Sequence, residues 1–172
     1  SGKQISVKTG EIKTYEDFIS AVKTHIKFMA ESGMNYIREI EKYYGEIGPD
    51  PLLSAMYDRS IKTGVDVFEG GAEYNNTSYY IYFIASLVDS ICAVKKLVFE
   101  EKRVMFAELC EILKNNWQGN EKLRLIAKNI PEKYGNNNAI ADEITKDITD
   151  YCASIINNKP NSRGGVFKAA IF

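Results

Sequence analysis

The stretch Gly70-Gly71-Ala72-Glu73-Tyr74-Asn75-Asn76-Thr77-Ser78-Tyr79-Tyr80 interrupts a chain whose apolar residues otherwise recur at helical spacing. Two glycines lead into three tyrosines and a polar Asn-Asn-Thr-Ser run, and helical periodicity resumes at once. Paired glycines between a strand and a helix suit a phosphate-binding turn. Here the third glycine of a dinucleotide fingerprint and the Lys-Ser/Thr of a P-loop are both absent, so a nucleotide site has little support. Asn75-Asn76-Thr77-Ser78 holds two overlapping glycosylation sequons, which matter only for a secreted chain. Tyr74, Tyr79, Tyr80 and Tyr82 are candidates to line a pocket; the plainer reading is packing with the hydroxyls wet.

On the N-terminal side, apolar residues step by three and four from Tyr15 to Tyr44, which predicts one long helix. Thr14-x-x-Asp17 has the form of a capping box, with Asp in place of the usual Glu or Gln. Gly33 is a candidate bend, and Gly45 with Gly48-Pro49-Asp50-Pro51 stops the helix. A helix of that length suggests a larger body. A shorter helix is predicted from Pro51 to about Thr63, and Val65-Asp66-Val67-Phe68 alternates weakly like a strand.

On the C-terminal side, helices are predicted from Ile81 to Glu101, Phe106 to Asn116, Glu121 to Asn129 and Ala139 to Asn157, the last after a capping asparagine. The closing run Val166-Phe167-Lys168-Ala169-Ala170-Ile171-Phe172 has the composition of a buried strand. A strand needs neighbours to satisfy its backbone groups, and none is evident, so the sequence looks cut rather than finished. The fold class is mainly α with a few short strands.

At 172 residues the chain fits a single domain, here a partial one, and 22 basic against 23 acidic residues specify no charged partner. Nucleic-acid binding favours a concentrated basic face, whereas Lys95-Lys96 and Lys102-Arg103 are broken up by glutamates. No apolar run approaches the roughly 18 residues of a membrane span. Ser1-Gly2 opens no signal-peptide pattern and reads as a cloning remnant, and a cytoplasmic location is expected.

The residues offer little chemistry of their own. His25, the single histidine, sits mid-helix without a Cys or His partner in view, so no metal site or triad is built on it. Cys92, Cys110 and Cys152 lack metal-type spacing and fall on apolar helix faces, as reduced packing thiols do. Glu41, Glu46, Asp50, Asp58, Asp66, Glu69 and Glu73 could supply a carboxylate pair, although such residues are common on solvated faces. We assign no catalytic and no metal-binding residue.

The second half carries a resemblance. Gly70-Gly71-Ala72-Glu73-Tyr74-Asn75 resembles the GGA-x-YN segment of glycyl radical enzymes, the pyruvate formate-lyase-like superfamily. Asp50-Pro51-Leu52-Leu53-Ser54-Ala55 resembles that family's P-x-P-F-L-S-A segment, and Asp89 to Lys102 its DSLAAIKKLVFEEK helix. Tyr134-Gly135-Asn136-Asn137 is similar to the YGND turn, and Arg163-Gly164-Gly165-Val166-Phe167 to the RGGRF segment. Five segments in order cover residues 50–172; residues 1–49 fit only as the preceding long helix.

The resemblance implies a piece of an α/β barrel built from two five-stranded parallel sheets around a radical site. In that family an S-adenosylmethionine-dependent activating enzyme with an iron–sulfur cluster makes a backbone glycyl radical, which passes to a cysteine in a Gly-Cys-Val-Glu loop. This sequence contains neither that loop nor the Arg-Val-x-Gly segment, so it is expected to be inert alone and to hold no cofactor. Its implied partners are the rest of the barrel, the glycyl radical domain and the activating enzyme. Gly70, Gly71, Gly164 and Gly165 are implied as fold-forming glycines, and Tyr74, Asn75 and Phe172 as substrate-pocket candidates. Phe172 stands where dehydratase-type members often carry a tyrosine, and Ala169-Ala170 replaces a Pro-Gly. Tyr79 to Phe83 are bulkier than the family's usual run, and Met105 occupies a helix-capping position. The alternative to a lyase or formate acetyltransferase-like parent from an anaerobe is a stand-alone helical module that binds a partner or forms a homo-oligomer.

Overall fold

The computed structural model describes Ile5 and residues 7–172; Ser1-Gly2 lie outside the described residues. The elements are α1 (Tyr15–Glu41), α2 (Tyr44–Ile47), α3 (Pro51–Ser54), α4 (Asp58–Thr63), β1 (Thr77–Ile81), α5 (Ile84–Val94), α6 (Phe106–Lys114), α7 (Glu121–Lys128), α8 (Ala139–Ile156) and β2 (Phe167–Ile171). They form two compact units, Ser1–Ile26 with Tyr82–Tyr151 and Lys27–Ile81 with Cys152–Phe172. Among the described residues no helix is long and apolar enough to cross a membrane.

The long helix starts where the capping box places it. The Thr14 hydroxyl accepts from the Asp17 amide at 3.1 Å, and the Asp17 carboxylate accepts from the Thr14 and Lys13 amides at 2.9 and 3.1 Å. These bonds satisfy amides that the first helical turn leaves unpaired, and they hold the Asp17 carboxyl below its ordinary range. At Gly33 the visible reason for glycine is clearance, because a Cβ there would collide with the Tyr79 ring.

In the first unit, Leu97, Val98, Val104, Leu109 and Ile112 form a buried cluster, with Val94, Phe106, Trp117 and Leu123 packed around it. Tyr15, Phe18, Phe99 and Phe106 add a ring cluster with centroids 5.5–6.5 Å apart. Burial pushes the Tyr15 hydroxyl up to about 12. The family-like helix continues α5 as a π-helical turn, Lys95–Glu100, in which the Glu101 amide bonds the Lys96 carbonyl at 2.8 Å. That turn ends the helix in Glu101 and lets Leu97 and Val98 both face the core. Lys96 Nζ donates to both Glu132 carboxylate oxygens at 2.7 and 2.8 Å, and Asp89 accepts from the Tyr134 amide at 2.8 Å. The YGND-like turn is thereby tied to α5, and Asn138 then caps α8 through the Ile140 and Ala141 amides.

Three expectations change. Pro51 to Thr63 is two short helices, because the chain turns at Ala55-Met56 and restarts at Asp58. Val65-Asp66-Val67-Phe68 is not a strand: Asp66 caps a 3-10 turn over Val67–Glu69, its carboxylate accepting from the Phe68 amide at 2.8 Å. The strand lies further on, at Thr77–Ile81, inside the polar-aromatic stretch, and α5 starts at Ile84 rather than Ile81. β2 is a strand as its composition indicates, and β1 is its partner. The two run parallel in the register Thr77↔Phe167 through Ile81↔Ile171.

Met105 sits at the N-cap of α6 with no side-chain bond to the helix. Since Glu108 already occupies the third helical position, Met105→Ser should complete a capping box and stabilise the first turn by about 1 kcal/mol. Slower amide hydrogen exchange at the start of α6 is the readout. The Lys96 bond lowers the Glu132 pKa from its ordinary 4.5, so its stabilisation is present above that value and lost as pH falls through the folded one. Melting curves between pH 6 and 3 should therefore be flatter on the acid side for Glu132→Gln than for the parent.

Candidate functional site

Everything that the sequence marks as family-like in the second unit converges on the start of the strand pair. Gly70 leaves the 3-10 turn with φ +99°, a conformation that L side chains rarely adopt. A Cβ there would sit 2.5 Å from the Arg163 carbonyl oxygen. Gly71 lies so close to the Val65 carbonyl that it has no room for one either, and at Gly165 a Cβ would strike the Asn75 backbone. Gly164 turns the loop at φ +78° in open space. The GGA and RGG segments therefore pack backbone against backbone.

Side chains lock that contact. Asn75 is buried and donates from Nδ2 to the Gly70 and Ala72 carbonyls at 3.0 and 2.8 Å. Asn161 donates to the Asn75 carbonyl at 2.5 Å and to Thr77 Oγ1 at 2.8 Å, and its Oδ1 accepts from the Arg163 and Gly165 amides at 3.1 and 2.7 Å. All four of its amide bonds are thus made. Glu41, the last residue of α1, is only 3% exposed. Its carboxylate accepts from the Thr77 hydroxyl, from the Ser162 amide at 3.1 Å and from Arg163 Nε at 3.4 Å. The Arg163 guanidinium also lies 5.9 Å from the Tyr44 ring centroid. This clasp joins the end of α1, the start of β1 and the loop before β2.

A second hub steadies the approach to the glycines. The Asp66 carboxylate accepts from the Asp50 amide at 2.9 Å and from the Ser54 hydroxyl at 2.8 Å besides the Phe68 amide. These bonds hold the Asp66 carboxyl below its usual range, the Phe68 amide contributing most. Asp50 in turn caps α3 through the Leu53 amide.

The remaining candidates are dispersed. Tyr74 is 83% exposed, whereas Phe172, just past β2, rests its ring on Tyr80 at a centroid distance of 5.4 Å. Asn75 lies inside the glycine junction. His25 is exposed on α1. Cys92 and Cys152 are buried, Cys110 is half-buried, and burial pushes all three thiols up. Among the described residues no group of three or more His, Cys, Asp or Glu side chains could hold a metal ion. The sequence named Glu41 only as one of seven scattered carboxylates, and Thr77 and Asn161 not as site residues. Glu41's place four residues after Ile37, on the inward stripe, was the available signal.

The glycine pair interlocks with an Arg-Gly-Gly loop beside two parallel strands, and the pyruvate formate lyase-like family model matches residues 1–172. The chain belongs to this family. It is 31% identical over 176 residues to the (2S)-3-sulfopropanediol dehydratase of Klebsiella oxytoca, covering 100% of this chain and 21% of that protein. The solved hydroxyproline dehydratase of Clostridioides difficile, with trans-4-hydroxy-L-proline bound, superposes with a TM-score of 0.89 at 30% identity over 98% of this chain and 22% of that one. The glycerol-bound B12-independent glycerol dehydratase of Clostridium butyricum gives 0.88 at 30% identity, over 95% and 21%. The chain spans about a fifth of the length of the curated relatives that it matches.

As a member of the pyruvate formate lyase-like family, the protein should depend on its clasp. Glu41→Ala strands the Arg163 charge together with the Thr77 hydroxyl and Ser162 amide, and should cost about 3 kcal/mol. Gly70→Ala adds a strained φ and a clash at the same place. Either change should accelerate hydrogen exchange throughout β1 and β2, measured by mass spectrometry, while leaving α6 and α7 as protected as before.

Proposed function

We propose that this chain is the segment of a longer glycyl radical dehydratase or lyase that supplies one parallel strand pair, with its helices, to the barrel wall. The match along the whole chain to a family whose relatives are about five times longer supports the reading most directly. The sheet agrees with it: two parallel strands are a stable unit only when further strands cover their outer edges. The names of the relatives favour the dehydratase branch over formate acetyltransferase chemistry, and a small hydroxylated aliphatic compound as the substrate.

In this reading both radical carriers belong to other segments of the parent. Cys92 and Cys152 are sealed within helices, so neither thiol can reach a substrate. The chain instead fixes geometry: the clasp sets the strand pair, and the pair presents the face that carries Tyr80 and Phe172. Tyr74, Asn75 and Phe172 stay on this reading as pocket candidates, Asn75 acting by shaping the junction behind it. The partners are the remainder of the barrel and an S-adenosylmethionine-dependent activating enzyme, in the cytoplasm of an anaerobe.

The test is anaerobic activation of the full-length parent with S-adenosylmethionine and its activating enzyme. A glycyl radical doublet in the electron paramagnetic resonance spectrum is expected from the parent and none from residues 1–172 alone. Glycerol, trans-4-hydroxy-L-proline and (2S)-3-sulfopropanediol serve as substrate probes. A parent gene lacking a Gly-Cys-Val-Glu loop before this segment and an Arg-Val-x-Gly segment after it would sink the reading.

A further inference from the structure

The β1–β2 pair has two unlike faces. On one, Thr77 bonds Glu41, the Tyr79 hydroxyl lies 3.4 Å from the Met29 carbonyl of α1, and the Arg38 guanidinium stands 5.2 Å from the centroid of the buried Phe167 ring. Because side chains alternate along a strand, Ser78 and Tyr80 of β1 and Lys168 and Ala170 of β2 belong to the other face, and Phe172 follows them. On that second face Tyr80 and Phe172 stay 53% and 67% exposed.

Chemistry on this face is divided along its length. Lys168, near the strand starts, donates to Asn158 Oδ1 at 2.9 Å. At the carboxyl ends, Tyr80 and Phe172 meet ring to ring, tilted by 44°, and the Phe172 amide bonds the Ile81 carbonyl at 3.0 Å, which fixes the pair's position. Opposite Tyr80 in the register stands Ala170, the smallest side chain on this face. Carboxyl ends of parallel strands are where ligands are bound in barrels and open α/β sheets, since the loops that follow diverge there. An aromatic wall with one polar handle is the usual make-up of such a site.

We propose that Tyr80 is a substrate-contacting and specificity-determining residue. Its phenol hydrogen-bonds a hydroxyl of a small aliphatic substrate whose carbon skeleton lies over the Phe172 ring and beside Ala170. The inference rests on the reading of this strand pair as part of a dehydratase barrel wall. Phe172 has no polar side-chain atom, so of the two rings only Tyr80 can donate or accept a hydrogen bond. A site built to bond a hydroxyl discriminates strongly against compounds that lack it, because the buried partner is then left unmet.

The experiment uses the activated full-length parent and three versions of this segment: unchanged, Tyr80→Phe, and Tyr80→Phe combined with Phe172→Tyr. Radical content is measured by spin quantitation before turnover of the three hydroxylated probes is compared. The expected result for Tyr80→Phe is an unchanged radical yield and a roughly tenfold lower kcat/KM, carried mainly by KM, for the probe that the parent turns over best. The double variant, which moves the phenol across the ring pair, should recover part of that loss; a merely structural role for Tyr80 gives no such rescue. A kcat/KM within twofold of the parent for Tyr80→Phe overturns the proposal, as does a radical-loaded parent that turns over none of the probes. Failure of the parent to form a glycyl radical overturns the dehydratase reading itself, and this inference with it.

Discussion

A buried carboxylate at the end of a long helix sets the second unit's geometry. Glu41 could not stay at 3% exposure without donors, since an unpaired buried charge costs several kcal/mol. Its donors come from residues 36 and more than 120 positions further along, Thr77, Ser162 and Arg163. Satisfying one charge thus brings the end of α1, the first residue of β1 and the loop before β2 to a single point. The glycines follow from the same demand: with Arg163 and Asn161 drawn in, the backbones at Gly70 and Gly165 approach too closely for any side chain.

That junction fixes register, and register fixes what the sheet displays. Pairing Thr77 with Phe167 puts Tyr79 and Phe167 against α1 and leaves Tyr80 and Phe172 together on the opposite face. A slip of one residue in either strand would exchange the faces. Asn161 prevents it by using every donor and acceptor of its side chain on the Asn75-to-Thr77 and Arg163-to-Gly165 backbones and the Thr77 hydroxyl. Polar bonding here contributes specificity of position more than net stability: Asn161 makes every bond its amide can make, while the buried Asn75 Oδ1 has no hydrogen-bond partner. On the proposed reading, this segment sets the geometry of a barrel wall, and the aromatic pair is the part of it that meets substrate.

Local signals were legible wherever a few neighbouring residues decide the outcome. Thr14 and Asp17 start α1, Asn138 starts α8, and the absence of a cap at Met105 is visible both in the sequence and in the structure. Helical periodicity located α1, α6, α7 and α8, and the composition of the last residues identified β2. The short strand at Val65–Phe68 failed for a local reason too: Asp66 prefers to cap a turn with its own carboxylate. β1 escaped because its run, Thr-Ser-Tyr-Tyr-Ile, follows a polar loop and leads directly into a helix, so the period of two never stood clear of the aromatic content.

By itself, then, the sequence determined the longer helices, the caps at Thr14 and Asn138, the closing strand and the family, since each of these is written in short-range periodicity or in motifs of a few adjacent residues. Only the tertiary structure decided that Glu41 is a buried hub rather than a solvated carboxylate, that Gly70 and Gly165 are clearances between two distant loops, and that Tyr80 and Phe172 share a face. The physical reason is common to all three. Parallel strands pair across a long stretch of chain, 85 residues here between Ile81 and Phe167, and no local pattern records which partner a buried donor or a close backbone approach will meet.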